Sequence, residues 1–185
     1  MRVEKLRQAY AIDVVYRHFP LHPDTPEAGL TLERLFAGRN IDLPTAKARM
    51  SQLMAEEGLP YGERNMTYNN RLAQELGRWA VTQPDGQKIH DALFRAYFVD
   101  NQNLAIVDNL VAIAEQVGLS AIDARAALEE RRFRDAVDGD WQRCRELGVT
   151  GVPTFVIDGQ GLFGAQSYEQ LVSLVESAGV PPREH

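Results

Sequence analysis

Apolar positions recur along this chain at two different spacings, and the changes from one to the other set out its organisation. Val3, Leu6 and Tyr10 fall at helical spacing, after which Ile12, Val14 and Tyr16 alternate as in a strand. Residues 18–29, HFPLHPDTPEAG, carry Pro20, Pro23, Pro26 and Gly29 and read as a loop. Thr31 is placed to cap a short helix bearing Leu32, Leu35 and Phe36, and Leu43, Ala46, Met50, Leu53 and Met54 mark a second helix that ends at Gly58. From 69 to 148 the spacing is helical almost throughout. It opens on an Asn69-Asn70 N-cap and breaks at 84–86, at 101–103 and at Gly118, where Ser120 and Asp123 form a capping-box start for the next helix. The period then returns to two: 154–158 and 162–165 are short apolar strands around Gly159-Gln160-Gly161, a hairpin signal. Ser167 with Gln170 caps a last helix whose Leu171, Leu174 and Val175 face inward.

The order is therefore a helix and a strand, a long helical block, then two strands and a helix. Neither a lone strand nor a lone hairpin is stable in water, so the two ends are expected to meet in one sheet. That makes 1–30 with 149–185 a discontinuous α/β domain and 31–148 a helical insertion with its connecting helix. No internal repeat interrupts this scheme.

Composition narrows the partners. The 185 residues are 44% hydrophobic, enough for a real core, and 20 Lys+Arg against 26 Asp+Glu give a net charge of −6. The basic residues are scattered rather than gathered, which argues against nucleic acid and against an anionic membrane surface as partners. The first twenty residues include Arg2, Glu4, Lys5, Arg7, Asp13 and Arg17, so no apolar leader stretch is present there, and no later run approaches a membrane span. A cytoplasmic location is the expectation that follows.

Candidate chemistry is sparse. The single cysteine, Cys144, excludes an intrachain disulfide and a cysteine-rich metal site. It shares an apolar helix face with Val137, Trp141 and Gly148 and reads as a small inert hydrophobe. His18 and His22 lie four apart, but Pro20 and Pro23 deny them a helix and no carboxylate or cysteine completes a metal set. His90 has a helical neighbourhood and reads as a packed or surface residue. Phe94, Tyr97 and Phe98 fall at i, i+3 and i+4, first of all a core stripe. One position asks for more: Pro153 stands at the mouth of the strand 154–158, where a proline is tolerated because the ladder has only begun.

Taken together, VVYRHFPLHPDTPEAG, DALFRAYFVDN, LGVTGVPTFVIDG and FGAQSYEQL, in that order and spacing, resemble the DsbA-like thioredoxin-fold oxidoreductases of the FrnE type, over nearly the whole chain. The resemblance implies a thioredoxin-like α/β fold with a helical lid inserted in it, and a cis bond before Pro153. It also implies a substrate site at Gly151, Val152, Pro153 and Thr154, where an extended peptide or thiol substrate pairs with the backbone of Val152 in the manner of an added strand. In that family a first strand runs into Cys-x-x-Cys or Ser-x-x-Cys at a helix N-terminus, where the thiol pKa is lowered. This chain corresponds from Met1 to the helix after that motif, and neither the strand nor the dithiol is in it. No catalytic residue, cofactor or metal is assigned, and the chain as written is expected to be redox-inactive by the family's route. The alternatives are a binding or interaction module on the same scaffold and a glutathione-dependent isomerase resembling the hydroxychromene-carboxylate and kappa-transferase branch. Without the first strand, the strands at 12–16 and 154–158 would face each other with unsatisfied backbone groups, each costing about 1–3 kcal/mol if buried. Either those strands close on each other or another chain covers the sheet, and a homo-oligomer is expected.

Overall fold

The computed structural model describes residues 2–183. In chain order the elements are α1 (Arg2–Ala9), β1 (Leu30–Thr31), α2 (Leu32–Leu35), α3 (Leu43–Glu56), β2 (Met66–Thr67), α4 (Arg71–Ala80), α5 (Lys88–Phe98), α6 (Val107–Gln116), α7 (Ala121–Glu129), α8 (Arg134–Glu146), β3 (Thr154–Ile157), β4 (Gln160–Phe163) and α9 (Tyr168–Ser177). They divide into two compact units. A terminal unit takes the chain up to Leu21 and from Gly139 onward, and a helical unit spans His22–Asp138, so the division falls inside α8.

The helical unit is built on α4, α5, α6 and α7, whose periodic apolar faces meet in one core. Leu76, Ile89, Leu110, Ile113, Ala124 and Leu128 are all essentially inaccessible there. Helix starts follow the expected chemistry: the Ser120 side chain accepts from the Asp123 N–H, and Thr31 does the same for Arg34. At α4 the geometry differs from the expected pair. Asn69 Oδ1 accepts from the Arg71 N–H while Asn70, at the cap position itself, makes no such bond. The Asn69 amide is also committed elsewhere: its Nδ2 donates to the carbonyls of Pro23 and Thr25, which ties the loop after His22 into this unit. Beneath α4, the buried Glu75 carboxylate receives both nitrogens of the Arg131 fork, at 2.8 and 2.7 Å, and Arg71 Nε at 2.7 Å. Burial pushes the Glu75 pKa up, but the hydrogen bonds from Arg131 and Arg71 overcome it and hold the carboxyl below its usual range.

One sequence expectation is met only in part in this unit. Of the aromatic trio of α5 only Tyr97 packs against the core: Ile89 and Ala96 define the buried face, and Phe94, turned away from it, is 60% exposed. Helix α3 forms where expected, with Gly58 at positive φ just past its end, yet none of its residues is buried, and Met50 and Leu53 lie open. The pairing of β1 with β2, Leu30 with Thr67 and Thr31 with Met66, was not anticipated, because two residues are too few to show an alternation.

The terminal unit has a smaller core, in which Leu6 and Tyr10 of the α1 segment meet Leu171 and Val175 of α9, with Phe155 of β3 packed against them. The last helix has the full reciprocal capping box between Ser167 and Gln170. Strands β3 and β4 pair in antiparallel register, Thr154 with Phe163 through Ile157 with Gln160. The turn is Asp158-Gly159, both at positive φ (46° and 79°), so the hairpin is tighter than the expected Gly159-Gln160-Gly161 connection: two central residues at positive φ make the type I′ turn that suits strand twist.

The expected strand at Ile12–Tyr16 is absent. Its alternating apolar pattern is real, but among the described residues no strand lies alongside to supply a ladder, and the segment is irregular. Its neighbour Tyr10 makes only an isolated bridge to Pro182, and Val15 and Tyr16 are exposed. The two expected strands therefore do not close on each other.

Candidate functional site

The loop from Gly151 to Thr154 is shaped by its own hydrogen bonds. Thr154 Oγ1 donates to the Gly151 carbonyl at 2.7 Å, and the Gly164 N–H donates to the Pro153 carbonyl at 2.8 Å, anchoring the loop to the far end of β4. The Val152–Pro153 peptide bond is cis. Gly151 is buried under Phe163: a Cβ there would lie 2.9 Å from Phe163 Cε2 and would push the ring aside. Val152 follows directly and is 49% exposed. The structure thus brings Gly151, Val152, Pro153 and Thr154 into one turn at the start of β3. Only one edge of that strand is paired among the described residues, with β4.

The two faces of the hairpin differ. Phe155 turns into the core, whereas Thr154, Val156 and Phe163 line a shallow cavity of about 230 Å³ closed on its other side by Leu147 and Val149. Val152 and Pro153 lie outside that lining, and the cavity holds no thiol and no ionisable side chain. It is a place for apolar contact rather than for chemistry.

Cys144 sits elsewhere, on α8. It is 7% exposed, its Sγ lies 3.6 Å from the His18 carbonyl, and burial pushes its thiol pKa up, helped by the charge of Asp140 and opposed by Arg17 and Arg145. The buried Asp140 went unnoticed in the sequence. Its carboxylate accepts from Arg17 Nη1 at 3.1 Å and from the His18 N–H at 3.2 Å, holding the segment after residue 16 against α8. An aspartate one turn from a cysteine has no distinctive spacing, and only the fold reveals that both face the same segment. His18 and His22 fall in different units, and among the described residues no group of three or more His, Cys, Asp or Glu side chains gathers in metal-binding geometry. His90 is half-buried on α5. No helix among the described residues is long and apolar enough to cross a membrane.

A hairpin with helices on one face, a proline loop at the mouth of β3 and a helical block between the chain's two ends define a thioredoxin-like α/β protein with an insertion. The family described as the DSBA-like thioredoxin domain matches residues 1–176, and the chain belongs to that family. Among solved structures, the chain is similar to a probable DsbA oxidoreductase, SCO1869 from Streptomyces coelicolor. The two are 29% identical with a TM-score of 0.85, over 96% of this chain and 82% of that one. It is also similar to a 2-hydroxychromene-2-carboxylate isomerase, with a TM-score of 0.70 over 96% of this chain and 85% of the isomerase; at 17% identity that likeness shows the fold alone. Among curated proteins, it is 31% identical over 106 residues to YwbO of Bacillus subtilis (strain 168), a match covering 55% of this chain. The match takes in 53% of YwbO, so the chain spans about half the length of the curated relative it matches.

Proposed function

We propose that this chain carries the substrate-docking side of a DsbA-type thiol–disulfide oxidoreductase, and that its own residues bind an extended peptide or thiol substrate at Gly151–Thr154 without exchanging a disulfide. The observation that carries this reading is the state of the sole thiol. Exchange needs a thiolate, and Cys144 is buried with its pKa raised, so it offers none at neutral pH. Docking is supported by the exposure of Val152 beside the edge of β3 left unpaired among the described residues, where an added strand could pair with main-chain groups and meet Phe163 with its side chains. The similarity to the probable DsbA oxidoreductase from Streptomyces coelicolor supports the same class.

Association with a second copy and a cytoplasmic location belong to this proposal. An unprotected strand edge without charge or proline inside it favours pairing with another chain, and a buried reduced thiol with no disulfide suits a reducing compartment. Nucleic acid and membrane have no place in it.

The test has two arms. Insulin reduction and dithiol-peptide oxidation by the purified chain are expected at background, and turnover that survives Cys144→Ala would sink the redox half. Binding of reduced, carboxymethylated insulin B chain, followed by fluorescence anisotropy, is expected to saturate. Val152→Pro removes the Val152 N–H and should weaken it about tenfold, the worth of one lost hydrogen bond; absence of saturable binding would sink the docking half.

A further inference from the structure

One helix of the helical unit has an apolar face that its own chain does not bury. Every other described helix buries at least one side chain, from Leu6 of α1 and Leu32 of α2 to Val137 of α8 and Leu171 of α9. Helix α3 runs for 14 residues and buries none. Its ends are nevertheless fixed by local chemistry. Pro44 stands in the first turn, and Gly58, at φ 66°, closes a Schellman motif in which the Leu59 N–H donates to the Met54 carbonyl at 2.8 Å and the Gly58 N–H to the Ala55 carbonyl at 3.0 Å. A helix of this length is marginal in water on local signals alone and takes most of its stability from a packed face. Such a face is present in α3: Leu43, Ala46, Met50 and Leu53 recur at alternating steps of three and four residues, and Ala46, Met50 and Leu53 are exposed.

The two flanks of that stripe differ. On one, Lys47 and Met54 are half-buried; on the other, Arg49 and Glu56 are exposed, two helical turns apart and opposite in charge. Gln52 Nε2 donates to Glu56 Oε1 at 2.9 Å, which keeps that carboxylate on the helix surface. A second copy of α3 running antiparallel sets open flank against open flank. A twofold axis midway between Met50 and Leu53 then puts Met50 of each copy against Leu53 of the other and Arg49 of each beside Glu56 of the other, so one surface is complementary to itself in both shape of stripe and sign of charge. Parallel packing would set the open flank of one copy against the half-buried flank of the other. An unrelated apolar helix would cover Met50 and Leu53 equally well but has no reason to answer Arg49 and Glu56 at this spacing.

We propose that α3 is a homodimerisation surface, on which two copies of this chain pair antiparallel through Ala46, Met50 and Leu53 and are set in register by Arg49 and Glu56. The inference deepens the association with a second copy put forward above by giving it a surface, apart from the edge of β3 and from docking at 151–154. Sedimentation velocity of the full chain over a concentration series reads it, and the wild type is expected to show a reversible monomer–dimer exchange. Arg49→Glu and Glu56→Arg, both at exposed positions, each turn two attractions into two repulsions and should weaken the dimer at least about tenfold. Mixed in equal amounts, the two single variants are expected to associate again. The acid introduced at 49 on one copy then meets the base introduced at 56 on the other, and the native Arg49 and Glu56 meet at the second pair. Phe163→Ser, on the hairpin, is expected to dimerise as the wild type does. A wild type monomeric throughout, single variants that associate like the wild type, a mixture no better than its components, or a dimer lost in Phe163→Ser would overturn the proposal. Binding of the carboxymethylated insulin B chain, unchanged in the α3 variants, judges the docking reading separately.

Discussion

The helical unit and the terminal unit solve the problem of burial differently. The helical unit closes on itself: its backbone hydrogen bonds are satisfied within helices, its apolar faces meet in a continuous core, and its buried carboxylate is paired on the spot by Arg71 and Arg131. The terminal unit leaves more undone. Its core cluster has four buried hydrophobic residues, its sheet among the described residues is a single hairpin, and Val152, Val156 and Phe163 are exposed. Helices complete their bonding locally and sheets do not, so a helical insertion can be finished within its own sequence while a two-stranded sheet invites a further strand.

The difference is tested most severely at Glu75. Glu75→Ala takes both fork hydrogen bonds from Arg131 and one of the two acidic partners of Arg71, Asp138 remaining at 2.8 Å, and is expected to cost about 2–3 kcal/mol, on the scale of hydrogen bonds to a charged group. The chain has two tryptophans, Trp79 buried in the helical unit and Trp141 in the terminal one. Urea unfolding followed through Trp79 in a Trp141→Phe background should show the loss. A change under about 1 kcal/mol, typical of surface pairs, would mean that the helical unit does not depend on its internal pairing.

The terminal unit has its own polar anchor, and pH reads it. The Tyr10 hydroxyl donates to Glu176 Oε1 at 2.7 Å, and that hydrogen bond, with burial and the carboxylate's charge, pushes the Tyr10 pKa from 10.0 up to about 12. The folded state therefore holds the proton more tightly than the unfolded chain. The contribution is fully present below pH 10 and is lost as pH rises toward 12. Stability of the wild type, followed through Trp141, should fall across that window more steeply than that of Tyr10→Phe. Parallel curves would show that the bond between the α1 segment and α9 carries no weight.

The same contrast governs what was legible in the sequence. The helices of the middle block, the Ser120 and Ser167 caps and the Gly58 and Gly118 ends follow from spacing within a few residues, because a helix is a local object. The loop at 151–154 was legible only through the order of the elements around it, since a proline at the first residue of a strand is by itself an ordinary strand entrance. Whatever depended on distant partners was not legible. The alternation at 12–16 reads as a strand, but a strand exists only with a neighbour. The stripe on α5 holds only at Tyr97, because Phe94 stacks on Phe98, 6.1 Å between centroids, rather than on the core.

The smallest effect expected on stability is at Phe163, and its smallness is informative. The ring is 62% exposed, covers Gly151 and lines the open cavity, whereas Phe155 on the opposite face of the same hairpin meets the core. For the isolated chain, Phe163→Ser should change unfolding free energy by no more than about 0.5 kcal/mol, as surface substitutions do. If a second chain covers this face, the ring is buried in the assembly. Wild-type stability should then rise with protein concentration while Phe163→Ser loses that rise, since association stabilises only the folded form that associates. Melting curves at two concentrations separate the outcomes. A concentration-dependent wild type and a concentration-independent variant would place the covering chain on the open face of the hairpin. Curves that coincide for both proteins would leave Phe163 as a residue that shields Gly151 and no more, and the homo-oligomer expectation would fall with them.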